Sequence, residues 1–189
     1  MVEVFGALFY LSNKIFFLFR EFAGLGGNTE GVRVWKICAW ACGLIGLPFV
    51  SWILLNSRDW IFGWFELGCA LPMVLGLALA WSGQELEVPK QADYLIYATA
   101  AIGTSWSAYD FGTLASVNQA LEMAAVVTFW IGNYRLAKDD RSGYLLFILM
   151  FAAAGTLLFR QEHYWFAAQQ AASAIIIFVA YYLAGRRMQ

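Results

Sequence analysis

Six stretches of this chain, residues 34–55, 60–81, 93–109, 113–134, 143–159 and 164–184, are each mostly apolar and long enough to cross a hydrocarbon layer. A spanning helix needs roughly 20 such residues, with about 17 as the lower limit. Lipid offers the backbone no hydrogen-bond partners, so segments of this kind fold as helices that satisfy their own amides. Composition argues against a soluble core: 61% of the 189 residues are hydrophobic and 13% charged, more apolar surface than a domain of this size can hide from water. The expected class is an all-α integral membrane protein. A net charge of -1 supplies no basic patch for nucleic acid.

The amino-terminal stretch, "VEVFGALFYLSNKIFFLFRE", places Asn13 and Lys14 near its middle among phenylalanines. It predicts either a seventh span whose Lys14 snorkels toward the headgroups, or an amphipathic helix lying in the interface beside six spans. No basic start or small-residue cleavage site marks it as a leader. With seven spans, one side receives Arg20, Arg33, Lys36, Lys90, Arg135, Lys138, Arg141, Arg186 and Arg187, and the other only Arg58 and Arg160. The positive-inside rule then puts the carboxyl terminus in the cytoplasm of a multi-pass inner (plasma) membrane protein.

Internal similarity favours seven spans. "FYLSN" at 9–13 matches "FWIGN" at 129–133 in kind at every position, and "WIFGWFELGCA" at 60–70 aligns with "YWFAAQQAASA" at 164–174, pairing Glu66 with Gln170. The matches occur in the same order, so segments one to three repeat as five to seven. That predicts two parallel triple-helix bundles, residues 1–81 and 113–189, joined by a linker helix within 82–112.

Polar groups inside spans are costly, about 2.5 to 3.5 kcal/mol for a charge at the centre of an inserting helix, and they normally face a cavity or one another. Candidate solute-binding residues are therefore Glu66, Gln169 and Gln170 on the third helix of each half, Asn133, and Gln119 and Glu122, which share a face of the fifth segment with Asn118. Trp64 and Trp106, the latter flanked by Thr104, Ser105 and Ser107, would supply stacking surfaces. A structural role competes at each position: amides tie helices together, hydroxyls bond the preceding turn, Glu122 is a helix-end carboxylate, and tryptophans belong to interfacial belts. Pro48 and Pro72 are expected to interrupt the second and third helices. Cys38, Cys42 and Cys69 lack metal or redox spacing and read as packing residues. "LAKDDRSGY", 136–144, looks like a solvated cytoplasmic loop. Phosphate-binding, metallopeptidase, nucleophile-elbow, haem and dinucleotide motifs are all missing from the sequence, so neither enzyme activity, metal nor cofactor is expected.

In its 3+1+3 layout the chain resembles the nicotinamide riboside transporter family (PnuC), related in architecture to the SWEET sugar transporters. Glu3 in "VEVFGALFYL", Glu122 near the start of the fifth helix, and the polar turns "NSRDW" and "RQEHYW" leading into helices three and seven carry the resemblance, with a glutamate or glutamine one to two turns into each of those helices. It implies facilitated diffusion of a vitamin-like nucleoside such as nicotinamide riboside through a pocket between the two bundles, with Glu66 and Gln170 facing it. Helices two and six lack the asparagine that the family tends to carry there. The expected partners are thus a small polar or aromatic solute and the lipid bilayer, with a homo-oligomer left open. The competing expectations are a vitamin-binding subunit of an energised uptake complex, and a membrane protein that transports nothing.

Overall fold

The computed structural model describes residues 2–56, 68–83, 90–110 and 116–187. Among these residues there are seven helices and no strands: α1 (Val2–Leu25), α2 (Thr29–Asn56), α3 (Ala70–Ser82), α4 (Lys90–Asp110), α5 (Val117–Ala137), α6 (Ser142–Arg160) and α7 (Tyr164–Arg187).

Three tight turns show why the helices end where they do. After α1, α5 and α6 the chain enters the left-handed region at Gly27 (φ 67°), Asp139 (φ 60°) and Glu162 (φ 65°). In each case an amide just beyond reaches back to the last helical turn, as from Asn28 to the Ala23 carbonyl at 3.0 Å, Asp140 to Arg135 at 2.9 Å and His163 to Leu158 at 2.9 Å. These bonds satisfy carbonyls that a helix end otherwise leaves open. Two starts are capped as their sequences suggest: the Asn28 Oδ1 accepts from the Gly31 amide at 2.8 Å, and the Ser116 Oγ from Gln119 at 3.2 Å. α3 also ends in the left-handed region, at Gly83 (φ 64°), and its last turn is held in addition by Arg33 of α2, which donates to the Trp81 carbonyl at 2.8 Å, a cation at the negative end of a helix.

Packing closes a ring. α1 lies on α2, α2 on α3, α3 on α5, α5 on α6, α6 on α7, and α7 returns to α1, while α4 packs against α5. Small residues let the helices approach. A Cβ at Gly143 would stand 2.7 Å from the Gly132 carbonyl oxygen, so the α5–α6 crossing admits only glycine there, and a Cβ at Gly76 would meet the Trp40 ring at 2.3 Å. In α7 the inward positions are Ser173, Ile177, Ala180 and Ala184, whereas Ile175, Phe178, Val179 and Tyr182 face outward. This distribution, bulky apolar groups outside and small ones within, fits a helical protein whose solvent is lipid. α6 and α7 and the segment Thr29–Trp52 of α2 are long and apolar enough to cross a membrane.

The two prolines differ. α2 runs unbroken through Pro48, whereas a turn at Cys69 separates helical Gly68 from Ala70, so Pro72 stands in the first turn after an interruption, where its missing amide hydrogen costs little.

Basic residues collect at one end of the ring. Arg20 and Lys36 meet the α5–α6 turn, Arg187 meets Glu21, and the Arg141 guanidinium lies 3.8 Å over the Tyr181 ring. At the opposite end Arg160 donates to Asn118 at 2.7 Å.

Candidate functional site

The inward face of α1 carries Tyr10, Lys14, Phe17 and Glu21, spaced four, three and four apart so that they form one stripe. Across the ring α6 presents Tyr144, Phe147 and Phe151 at three and four. The two stripes run antiparallel. Tyr144 meets Glu21 and Phe17, with the phenol donating to Glu21 Oε1 at 2.7 Å and the two rings edge to face at 6.2 Å, while Phe147 and Phe151 meet Lys14.

Lys14 is 2% exposed. Its Nζ stands 5.0 Å from the Tyr10 ring centre, 5.3 Å from that of Phe147 and 5.7 Å from that of Phe151, and donates to Asn13 Oδ1 at 2.7 Å. The Asn13 amide in turn donates to the Ala39 carbonyl of α2 at 2.6 Å. Three π faces around an ammonium stabilise the charge by about 0.5 to 2 kcal/mol apiece, the upper value where water is excluded. Lys14 therefore does not snorkel, as one of the two expectations for this helix had it. The inward stripe of α1 points the side chain at the ring centre, and α2 and α7 cover the helix on both flanks.

Less than two turns further along α1 lies a second cluster, built from ions. Arg20 is 2% exposed and Glu21 0%. The Arg20 Nη2 reaches Asp139 Oδ1 at 2.7 Å, its Nε stands 3.4 Å from Glu21 Oε1, Lys36 Nζ reaches Asp139 Oδ2 at 2.6 Å, and Arg187 Nη1 stands 3.5 Å from Glu21 Oε2. Asp139 tolerates the left-handed backbone better than most residues, and the turn aims its carboxylate at both cations. The segment "LAKDDRSGY" is thus no simply solvated loop: Asp139 docks onto α1 and α2. Geometry leaves the cluster under-satisfied, since Arg20 Nε and Nη1 and Glu21 Oε2 are buried without a hydrogen-bond partner. Every cross-link in it joins α1 or α2 to the α5–α6 turn, α6 or α7.

The residues expected to bind solute scatter more widely. Asn133 is 2% exposed, and its amide donates to the Phe129 carbonyl of its own helix at 2.8 Å. Its counterpart in the internal repeat, Asn13, is buried to the same degree, and Tyr10 touches Phe129 with ring centres 6.4 Å apart. Gln119 is buried with its Nε2 unsatisfied. Glu122 is half-buried on the same helix. Gln169 donates to the Ala7 carbonyl of α1 at 3.4 Å, the helix-tying role that competed with solute binding. Gln170 is half-buried with its Cβ packed toward Gly155. Thr104 bonds the preceding turn through the Ala100 carbonyl at 2.7 Å. Glu66 and Trp64 lie outside the described residues, as does the side chain of Trp106.

Sequence reasoning missed the structural weight of Lys14, Arg20, Glu21 and Asp139. The signal for Lys14 and Glu21 was present in the four-three-four spacing of Tyr10, Lys14, Phe17 and Glu21, which places ionisable groups on the same helical face as the core aromatics. Nothing local marked Asp139, whose partners are more than a hundred residues away.

The chain matches no family model, no curated protein and no solved structure with which it was compared.

Proposed function

We propose that this protein is a membrane transporter that carries a small polar or aromatic solute by facilitated diffusion between two triple-helix bundles, α1–α3 and α5–α7, with α4 as linker. In this reading all seven helices span the inner membrane and the end bearing Asp139 and the carboxyl terminus faces the cytoplasm. The observation that carries it is Lys14, an ionisable group held inside a closed ring of helices whose outer surface is apolar. A charge at such a position is expensive and is normally found on a solute or ion pathway. The order of contacts around the ring supports the reading, since each trio is internally continuous, and α1 with α7 and α3 with α5 carry the most extensive backbone approach between the trios among the described residues. Aromatic side chains fill the centre and the ion cluster bolts one end, so the conformation at hand is closed on that side. Passage requires the cluster to part, and the two longer contacts of Glu21, with Arg20 at 3.4 Å and with Arg187 at 3.5 Å, suit a bond set that exchanges partners.

The resemblance to the nicotinamide riboside transporters makes a vitamin-like nucleoside the first solute to try. Uptake by proteoliposomes of radiolabelled nicotinamide riboside, thiamine, riboflavin and a hexose should show saturable entry of at least one compound, lost when Asp139 and Lys36 are cross-linked through engineered cysteines. Failure of the whole panel against empty-liposome controls would sink transport as the function. A second reading, a scaffold that moves nothing, is favoured by the bonds of Gln169 and Asn133 to backbone carbonyls, and it predicts that failure.

A further inference from the structure

Lys138 and Asp139 are consecutive residues of opposite charge in the α5–α6 turn, and they hold different parts of the molecule. Asp139 takes Arg20 of α1 and Lys36 of α2. Lys138 Nζ instead reaches Oδ1 of Asp93, in the first turn of α4, at 2.9 Å. The same carboxylate oxygen accepts from the phenol of Tyr134, one turn earlier on α5, and the Lys138 ammonium lies 5.3 Å from the centre of the Tyr134 ring. Tyr134 is 1% exposed and meets Tyr97 of α4 edge to face. A charged and a neutral donor on one oxygen thus fasten the start of α4 to the end of α5.

Between the two grips the chain is stiff. The amides of Lys138, Asp139 and Asp140 bond back to the carbonyls of Tyr134, Leu136 and Arg135 at 3.2, 3.1 and 2.9 Å. Asp140 Oδ1 accepts from the Ser142 amide at 2.9 Å, and Arg135 Nη1 donates to Ser142 Oγ at 2.7 Å. A turn cross-linked in this way moves as one piece, so a displacement that withdraws Asp139 from α1 and α2 also draws Lys138 off Asp93. Contacts that break together belong to one cooperative unit of local opening.

We propose that the α5–α6 turn is a two-sided clasp that couples the linker helix α4 to the opening of the end bearing Asp139: Asp139 holds the α1–α2 pair, Lys138 holds α4, and the two grips release together. The inference rests on the transport reading for its use, since a passage closed by the Asp139 cluster then opens only as α4 comes free of α5. The coupling itself is measurable without any solute.

Hydrogen–deuterium exchange of the full chain in lipid nanodiscs, read by mass spectrometry, tests it. Asp93→Asn removes the charge that Lys138 grips. Exchange should quicken about two- to fivefold, the effect of losing one partly exposed bridge, at the end of α5 and also at the α1–α2 turn, where the Asn28 amide bonds Ala23. Lys138→Met should do the same, and Asp139→Asn should quicken residues 94–100 of α4 by a similar factor. In all three the α6–α7 turn, at the opposite end, should exchange as in wild type. Effects confined to each variant's own contacts would overturn the clasp, as would equal quickening throughout the chain. Wild type alone provides a second measurement: at about 1 M salt, where the screening length falls to about 3 Å, the α1–α2 turn and the start of α4 should loosen in parallel. A response of one without the other, or of neither, would refute the coupling even where a variant fails to fold. Coupled exchange in a protein that carries no solute into proteoliposomes would uphold the clasp and refute transport, and uptake with uncoupled exchange would do the reverse.

Discussion

Lys14 and Glu21 lie on one face of one helix, separated by about two turns, and they are buried by opposite means. Around Lys14 three aromatic rings form walls, and the Asn13 amide oxygen accepts from the ammonium. Around Glu21 stand Arg20, Arg187 and the Tyr144 hydroxyl, with Lys36 and Asp139 completing the network. A π face tolerates loss of its cation, since an apolar group can fill the same space. A carboxylate buried among cations tolerates loss of a partner badly, because the remaining charge stays stranded. The aromatic region should therefore tolerate substitution better than the ionic region, which fastens helices.

Stability measurements can break this contrast. Glu21→Gln should be the most damaging change, at about 3 to 5 kcal/mol, because it leaves the buried Arg20 with only the half-exposed Asp139 as counter-charge. A thermal melt in detergent indistinguishable from wild type would show that the cluster fastens nothing. Asp139→Asn keeps a residue that accepts the left-handed turn but removes the charge shared by Arg20 and Lys36. Since Asp139 is 51% exposed, each bridge is worth at most about 1 kcal/mol, and the loss should shrink as salt is added. A salt-independent deficit would place the effect in the turn and not in the charge. Lys14→Met should cost about 1 kcal/mol, as the thioether keeps favourable sulfur–aromatic contacts of similar reach. A collapse as deep as that of Glu21→Gln would erase the distinction between the two regions. Gln169→Leu should have the smallest effect, about 0.5 kcal/mol, because its bond to Ala7 is long at 3.4 Å. A larger loss would promote that amide from a minor tie to a principal one.

Much of the helical layout was legible in the sequence. Apolar runs over 143–159 and 164–184 correspond to α6 and α7, and Gly27 and Asp139 are residue types that left-handed turn positions favour, whereas Glu162 is not. The asparagines that close "FYLSN" and "FWIGN", Asn13 and Asn133, are equally buried. The site was less legible. Glu66 and Trp64 fall outside the described residues, and Gln169 bonds to backbone. Lys14 was visible but its direction was not, because snorkelling and inward burial use the same residue and differ only in which neighbours surround the helix.

By itself, the sequence determined that the chain is helical and apolar, and where most of its helices begin and end, since hydrogen bonding within a helix and the chemistry of its caps are local. Tertiary structure alone decided that α1 joins the ring with Lys14 turned inward and that Asp139 meets Arg20 and Lys36. Those outcomes depend on residues far apart in the chain, whose encounter is set by which faces pack together and not by any pattern within one segment.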